Sequence, residues 1–353
     1  MFIKQLNLTN FRNYSNLSLN FDHRPTIFVG NNAVGKSNIL EAIYLLSTTK
    51  SARVEIEGEL IKNGSEFAKV EGLVKEEGGT KLLIILNNPA EASFIKKVLV
   101  NGIARRVVDF VGNLPAVIFH PSDINMVTGS PSLRRWQMDL CLAQVDFGYK
   151  KALTQYEHFL TSRNRVLKRI REGVGHADEL IYWTGELLNT SKTITEKRTA
   201  FFNYIINLPP ILGNFRFNYH PSRINQQLLE EINDREVAAA ATLIGPHRDD
   251  FDIIFYDGPG RNLAHFGSRG EQRISTLAFK LAQLEYMAKI LGQRPVLLLD
   301  DVFSELDASH RACVAEIVGK QQTIIATVEL ENIPKDFLNQ SRILRVEDGK
   351  IIE

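Results

Sequence analysis

The stretch Gly30–Ser37 reads Gly-Asn-Asn-Ala-Val-Gly-Lys-Ser and fits the pattern G-x-x-x-x-G-K-[ST]. It follows the apolar run Pro25–Val29, a predicted buried strand, and precedes an amphipathic helix predicted from Lys36 onward. Backbone N–H groups in such a loop, together with the helix N-terminus, bind phosphate oxygens. We expect Lys36 to reach the β- and γ-phosphates of ATP and Ser37 to offer its hydroxyl to Mg²⁺. The alternative is a chance match in a glycine turn.

An acidic pair, Asp300-Asp301, ends the apolar run Val296–Leu299, which we predict to be a second buried strand. Phosphate-loop enzymes place a carboxylate beside Mg²⁺ in this way. We expect Asp300 to be the residue on the metal side. Asp301 is then the candidate general base for the attacking water. Strands often end in aspartate, so the pair gains its meaning from the loop upstream.

The segment Ser268-Arg269-Gly270-Glu271-Gln272 opens a long helix predicted over Glu271–Leu291. A small, polar, glycine-containing helix start is a second site for an anion. One chain then offers two phosphate-binding helix starts and a single phosphate loop. Composite sites explain this, with the Ser268 segment of one subunit closing on the loop of another in a two-fold dimer that holds two ATP molecules. The alternative is a plain capped helix.

Apolar runs alternating with helical patterns predict an α/β fold with a mostly parallel sheet. Strands are predicted at Phe67–Val74, Lys81–Leu86 and Lys97–Val100, with a hairpin turn at Asn101-Gly102. Further strands are predicted at Ile3–Leu8, Phe251–Phe255 and Thr323–Ala326, and a further helix at Ser309–Val318.

Between these parts, the apolar positions from Tyr149 to Ile170 repeat in steps of four and three, interrupted only at Arg163. A second seam runs from Leu180 to Ile205, beyond the glycine turn Glu172–His176. This pattern predicts a short antiparallel helical hairpin, or an ordinary helical subdomain. We divide the chain into an ATPase lobe over residues 1–125, a helical insert over 126–238 and a returning ATPase segment over 239–353.

Composition sets limits on partners and surroundings. The net charge is +1, so any nucleic-acid surface must be a local patch. The two cysteines, Cys141 and Cys313, form no metal-type spacing and fit a reducing cytoplasm. No apolar run reaches the length of about 18 residues that a membrane span needs, so we expect a cytoplasmic protein without membrane contact.

The order of phosphate loop, Ser-x-Gly-x-Gln signature and acidic pair resembles that of the ABC ATPases, and Ser304-Glu305-Leu306-Asp307 looks like their D-loop. A narrower resemblance is to the RecF family of bacterial recombination mediators. It is carried, in the family's order, by Asn10–Tyr14, Gly30–Ala42, Gly129–Arg135, Gly245–Asp250, Gly267–Arg273 and Leu299–Asp307. The sequences Gly-Pro-His-Arg-Asp-Asp and Asp-Asp-Val-Phe-Ser-Glu-Leu-Asp within them are specific, because transporters of the ABC class do not usually carry them.

The resemblance implies an ABC-type P-loop ATPase head with an inserted helical subdomain and weak ATP hydrolysis used as a switch. It implies an ATP-dependent homodimer that binds duplex DNA near gaps, works with RecR-like and RecO-like partners, and promotes recombinase loading. The nucleotide-binding residues would be Arg12, Gly30, Asn31, Asn32, Ala33, Val34, Gly35, Lys36, Ser37 and Asn38. Ser268, Arg269, Gly270, Glu271, Gln272 and Asp307 would act in trans.

Two positions depart from the family pattern. Thr327 stands where many ABC enzymes have a switch histidine. Ala33 stands where the family usually has glycine, and alanine costs roughly 1 kcal/mol if the position needs a positive φ.

For DNA, the candidate residues are Arg163, Arg165, Lys168 and Arg169, clustered near the end of the first predicted hairpin helix. They would contact duplex phosphates without reading bases. The alternative is a solvated helix tip. Two other functions stay open: an ABC-type ATPase in a protein-only assembly without DNA, favoured by the near-neutral charge, and a monomeric P-loop kinase, against which the Ser268 signature argues.

Overall fold

A computed structural model describes residues 2–74, 78–88, 93–347 and 349–352 of the chain. Its strands, β1 to β15 in chain order, are Ile3–Phe11, Tyr14–Asn20, Thr26–Val29, Phe67–Val74, Thr80–Asn87, Ile95–Val100, Ile103–Arg105, Ala116–Phe119, Phe215–His220, Asp250–Phe255, Arg261–Asn262, Val296–Asp300, Thr323–Thr327, Arg342–Glu347 and Lys350–Ile352. Its helices, α1 to α12, are Lys36–Thr48, Val107–Phe110, Asn125–Thr128, Pro131–Val145, Phe147–Arg171, Glu179–Ile206, Gln226–Glu231, Asn233–Ala239, Leu263–Phe266, Arg269–Leu291, Ala308–Val318 and Lys335–Asn339.

The chain divides into two compact units. Unit 1 contains Met1–Ile124, Pro210–Asn214 and Ser268–Glu353, and unit 2 contains Asn125–Pro209 and Phe215–Gly267. Unit 2 therefore extends to Gly267, whereas the sequence division ends the insert at residue 238. The reason is β9, which pairs with β10, so the second segment shares a sheet with the first.

Unit 1 is built on a six-stranded sheet in the order β15-β14-β3-β13-β12-β8. The pairs β14–β3, β3–β13, β13–β12 and β12–β8 are parallel, and only β15 runs antiparallel to its neighbour. Every residue of β8, β12 and β13 is buried, as expected for a parallel sheet covered on both faces. The predicted α/β class with a parallel sheet is confirmed.

A second sheet of unit 1 is antiparallel, in the order β2-β1-β4-β5-β6-β7. Helix α1 is the element beside both sheets, with residue contacts to β4 and β5 of this sheet and to β12 and β13 of the parallel one. Eleven of its residues are buried, including Glu41, Ser47 and Thr48. A helix that is covered nearly all round is a core helix, so the phosphate loop that precedes it is attached to a rigid element.

Unit 2 contains the predicted helical hairpin, formed by α5 and α6. Arg163 on α5 meets Thr184 on α6, and Tyr149 near the start of α5 meets Arg198 near the end of α6, so the helices run antiparallel. A three-stranded antiparallel sheet in the order β11-β10-β9 completes the unit. Within the described part of the chain, no helix has the length and apolarity needed to cross a bilayer.

A buried polar network organises unit 2 around Arg198, which is 1% exposed. Its guanidinium donates to Asp249 at 2.7 Å, to Asp139 at 2.8 Å and to the carbonyl of Pro246 at 2.7 Å. Asp249, fully buried, also accepts from the hydroxyl of Tyr219. The Gly245–Asp250 motif therefore joins α4 and α6 to the small sheet.

Candidate nucleotide site

Four parallel strands of unit 1 end at one edge of the sheet. Strand β13 lies between β3 and β12, and β8 lies on the other side of β12. Because the pairing is parallel, the residues that follow these strands meet at the carboxyl edge, where α/β proteins bind ligands. Gly30, His120, Asp301 and the final residue of β13, Thr327, are brought to this edge. The predicted phosphate loop and acidic pair therefore come together.

The phosphate loop owes its glycines to close packing. A Cβ at Gly30 would lie 2.3 Å from the carbonyl oxygen of Val346 on β14. Gly35 has φ 116°, and a Cβ there would lie 2.5 Å from Nδ2 of Asn13. Ala33 adopts φ 66°, in the left-handed region where alanine is disfavoured. The departure at Ala33 thus falls on a position that does require a positive φ.

Lys36 is the first residue of α1 and is 7% exposed. Its Nζ donates to the carbonyls of Gly30 and Asn31, each at 2.7 Å, so the ammonium lies over the loop. Burial lowers the pKa of Lys36, and the carboxylates of Asp300 and Asp301 partly offset that. The charge is thereby held where phosphate oxygens would be bound.

Ser37 and Asp300 are in direct contact, since the Ser37 hydroxyl donates to Oδ1 of Asp300 at 2.8 Å. Nε2 of His120 lies 3.5 Å from the other carboxylate oxygen of Asp300. Burial raises the pKa of Asp300 and lowers that of His120. A hydroxyl and a carboxylate are the hard oxygen donors that Mg²⁺ prefers, and the described residues contain no cluster of three His, Cys, Asp or Glu side chains suited to a metal. Two protein oxygens fit an ion that is shared with nucleotide phosphates.

Asp301 has the backbone of a strained site residue. Its φ is 51°, its N–H donates to the carbonyl of Ala326 at 2.8 Å, and its carbonyl accepts from the Ser304 hydroxyl at 2.9 Å. Among the described residues, its buried Oδ1 has no hydrogen-bond partner. An unpaired buried carboxylate oxygen is an acceptor available to a water molecule, which fits the predicted role of general base.

Arg12 and Asn38 are turned away from the loop's interior. The Arg12 guanidinium donates to both oxygens of Glu41 on α1, at 2.8 Å each. Asn38 donates to Asn13 and accepts from Arg53, both at 2.8 Å. Asn31 and Asn32 are exposed on the loop. The predicted nucleotide contacts of these side chains remain predictions.

Thr327 is 2% exposed at the end of β13, and its hydroxyl donates to the carbonyl of Glu329 at 3.0 Å. Asp307 caps α11 by accepting from the N–H of His310 and the hydroxyl of Ser309. These hydrogen bonds hold the pKa of Asp307 well below its ordinary value. Both residues stay candidates for the roles assigned from the resemblance.

The Ser268 segment begins α10 with a capping box. The Ser268 hydroxyl accepts from the N–H of Glu271, and the Glu271 carboxylate accepts from the N–H of Ser268 at 2.8 Å. Ser268, Arg269 and Gly270 are exposed, so this helix start is open to a ligand. A Cβ at Gly270 would meet nothing within 4 Å. Packing among the described residues gives no reason for glycine there.

The predicted DNA cluster needs a correction. Arg163 is 2% exposed and donates to Glu236 at 2.6 Å, with Thr184 and Thr242 as further partners. The prediction was wrong for this residue, because a buried guanidinium paired with a buried carboxylate cannot reach a phosphate backbone. Its place in the apolar seam of α5 is explained by the same ion pair.

The other members of that cluster are exposed, but two of them have acidic partners. Arg169 pairs with Glu179 at 2.6 Å, and Lys168 lies 3.9 Å from Glu172. Arg165 is exposed on the same helix. The local positive charge is smaller than the sequence cluster indicates.

Sequence reasoning missed His120 and Glu41. His120 directly follows the buried strand β8, and a polar residue at the end of such a strand is a signal that could have identified it. Glu41 carries no such signal, since a glutamate in a helical pattern is normally a solvated residue.

The chain matches a family model described as RecF/RecN/SMC N terminal domain over residues 2–351. It is 34% identical over 383 residues to the DNA replication and repair protein RecF of Rippkaea orientalis, covering 99% of each chain. It is 36% identical over 376 residues to the RecF protein of Geobacillus kaustophilus, again covering 99% of each.

Solved structures give the same result. A structure of the recombination mediator protein RecF-ATPrS in the RecFOR pathway superimposes with a TM-score of 0.85 and 28% identity, covering 99% of this chain and 97% of that one. An Smc head domain from Pyrococcus furiosus has a TM-score of 0.54 at 18% identity, covering 99% and 96%, and shares the fold.

Proposed function

The chain belongs to the RecF family of SMC-like ABC ATPases, and from this premise we propose that it is an ATP-dependent switch of recombinational DNA repair. In this proposal ATP closes a homodimer, the dimer binds duplex DNA near gaps, and slow hydrolysis to ADP and phosphate releases it. Proteins of the RecR and RecO type would be its partners in promoting recombinase loading. The RecF-ATP and RecF-ATPrS relatives of the RecFOR pathway support this assignment.

The observation that carries the proposal is the Ser37–Asp300 contact beside Asp301, at the edge where the phosphate loop begins α1. ATP phosphates would be bound by the loop N–H groups and by Lys36. Ser37 and Asp300 would hold Mg²⁺, which supplies charge neutralisation for the phosphates. Asp301, with its unpaired buried oxygen, would accept the proton of the attacking water.

The homodimer is supported by the open start of α10. Ser268 and Gly270 are exposed, and Gly270 lacks a packing reason among the described residues. A glycine at an exposed helix N-terminus lets a phosphate of a second subunit's nucleotide come close to the backbone. In the proposed dimer this segment and Asp307 complete the partner's site.

A second candidate function is an ABC ATPase that acts in a protein-only assembly. It is favoured by the net charge of +1 and by the loss of Arg163 from the candidate DNA surface. The two candidates share the nucleotide chemistry and differ in whether duplex DNA is bound.

Sedimentation velocity with ATP, ADP or no nucleotide, repeated with a gapped duplex, tests both candidates. We expect a dimer with ATP alone and co-sedimentation of the duplex with that dimer. Lys36→Met, which removes the ammonium from the loop, is the control that should stay monomeric. An ATP-dependent dimer that ignores DNA at low salt would favour the protein-only function, and a monomer under all conditions would contradict both.

A further inference from the structure

The turn that joins β1 to β2, residues 12–13, lies against the start of α1. Nε and Nη2 of Arg12 donate to the two carboxylate oxygens of Glu41, each at 2.8 Å. This is a bidentate pair, the geometry in which a guanidinium recognises a carboxylate most specifically. The turn and the helix of the phosphate loop are therefore joined by a directional, charged contact.

Glu41 needs that contact because its side chain is completely buried. Its other partners are the Ser51 hydroxyl at 2.6 Å and Nη1 of Arg53 at the longer distance of 3.8 Å. A buried carboxylate without a close positive partner is strongly unfavourable. Arg12 is thus the principal charge that stabilises Glu41 in its place on α1.

The neighbours of Arg12 contact the phosphate loop itself. Nδ2 of Asn13 donates to the carbonyl of Val34 at 2.9 Å, and the Tyr14 hydroxyl donates to the carbonyl of Gly35 at 3.1 Å. Burial raises the pKa of Tyr14, so its hydroxyl stays a donor. Two successive carbonyls of the loop are therefore fixed by this one turn.

The turn is anchored on its far side as well. The Arg12 N–H donates to the carbonyl of Leu60 at 2.8 Å, and Nη1 of Arg12 donates to the carbonyl of Glu59 at 3.0 Å. Arg12 also holds φ 53°, a conformation that persists only where surrounding contacts define it. To reach a nucleotide, the guanidinium would have to give up three hydrogen-bonded positions and leave Glu41 buried without a close cation.

We propose that Arg12 is a positioning residue that acts through Glu41. It holds the first turns of α1, and with them the phosphate loop, in the arrangement that binds phosphate, and it does not itself contact the nucleotide. The inference rests on the proposed nucleotide-binding function and replaces the direct nucleotide contact that the family resemblance implies for Arg12.

A double-mutant cycle tests this role, using Arg12→Gln, Glu41→Gln and the double variant. Two quantities are measured: amide hydrogen exchange of residues 30–42 without nucleotide, and ATP affinity by calorimetry. Arg12→Gln should speed exchange in the loop and weaken ATP binding by about tenfold, a size typical of coupled neighbours. In the Glu41→Gln background, which lacks the buried charge, the same change should have little effect on either quantity.

A direct nucleotide contact predicts the opposite pattern. Arg12→Gln would then weaken ATP binding by the same factor in both backgrounds and leave exchange of the nucleotide-free loop unchanged, which overturns the proposal. Arg24→Gln is the matched control, because Arg24 forms an exposed ion pair with Asp22 in the same unit. If Arg12→Gln alone fails to fold, comparing the double variant with Glu41→Gln still distinguishes the two roles.

The exchange measurement also separates this inference from the proposed function. It is read without nucleotide, so faster loop exchange in Arg12→Gln and its reversal by Glu41→Gln support the positioning role by themselves. Absence of ATP binding in the unmodified chain would count against the proposed function instead.

Discussion

At the scale of single residues, the site depends on backbone conformations that ordinary residues avoid. Ala33, Asp301 and Arg12 all have φ between 51° and 66°. Each costs free energy that the surrounding contacts must offset, and such residues cluster at functional sites. Two of the three can be tested by substitutions that keep or relieve this conformation.

Ala33→Gly should raise the free energy of unfolding. Glycine removes the left-handed penalty of roughly 1 kcal/mol, and its larger entropy in the unfolded chain takes back part of this, so we expect a gain of about 0.5 kcal/mol. Urea denaturation without nucleotide measures it. Ala312→Gly on the exposed face of α11 is the control, since the same change inside a helix should destabilise by about 0.5–1 kcal/mol. Equal signs for the two variants would contradict the strain at Ala33.

Asp301→Asn should leave ATP binding intact and accumulate the ATP-bound dimer. Asparagine tolerates φ near 51° better than most residues, so the backbone is kept while the carboxylate that would accept the water's proton is lost. We expect phosphate release to fall by about 10²-fold or more, as for a lost general base. Sedimentation with ATP should show a persistent dimer. Unchanged phosphate release would remove Asp301 from the role of base.

At the scale of elements, buried charges specify how the helices of unit 2 meet. Arg163 and Glu236 join α5 to α8, and Arg198 joins α6 to Asp139 and Asp249. Such pairs add little net stability over apolar packing, but removing one partner is costly. Their clearest consequence is therefore seen when the partners are changed one at a time.

Arg163→Met should destabilise unit 2 by about 3–5 kcal/mol, because it leaves Glu236 buried without its cation. Arg163→Met combined with Glu236→Gln should recover most of this, since the amide oxygen can still accept from the N–H of Leu243. Chemical denaturation measures both variants. Arg165→Met, an exposed position on the same helix, should change stability by less than about 0.5 kcal/mol. A double variant as unstable as Arg163→Met would contradict the pairing.

His247 should make unit 2 less stable in acid. Burial lowers its pKa from the ordinary 6.5 to about 4, and its ring is held between Tyr156 and the carbonyl of Thr242. The unfolded chain binds the proton more tightly, so stability is full above about pH 6.5 and falls as the pH drops toward 4, by up to about 3 kcal/mol. Urea denaturation at several pH values should show this loss in the native chain. His247→Gln should lack it, and parallel profiles would refute the assignment.

At the scale of the whole molecule, the chain carries one phosphate loop and one open signature helix start. The proposed dimer gives the second feature its purpose, because the start of α10 would face a nucleotide held by another copy. The exposed Gly270 allows this to be tested without disturbing the fold.

Gly270→Leu should block the ATP-dependent dimer while raising stability. Leucine is a better helix former than glycine by about 0.5–1 kcal/mol, and its Cβ would meet nothing within the chain. ATP affinity of the monomer should stay unchanged by calorimetry, and sedimentation with ATP should show no dimer. Ser268→Arg should do the same but also lose the capping box. Ser18→Arg, an exposed serine on β2, is the control that should still dimerise.

The sequence by itself determined the elements and the chemistry of the loop. Gly30–Ser37, Asp300 and Asp301 are recognisable because their spacing and flanking apolar runs are local features, and β4, α6 and α10 follow from local periodicity. Strands β9, β14 and β15 escaped prediction, since their short mixed patterns acquire meaning only through pairing partners.

Only the tertiary structure decided which charges are buried and whom they meet. Arg163 looks like a surface cation and Glu41 like a solvated glutamate in the sequence, yet each lies in a buried ion pair. The partners are 29 residues away for Arg12 and Glu41 and 73 for Arg163 and Glu236, so no local pattern encodes them. The same holds for His120, which meets Asp300 because parallel pairing places the ends of β8 and β12 side by side.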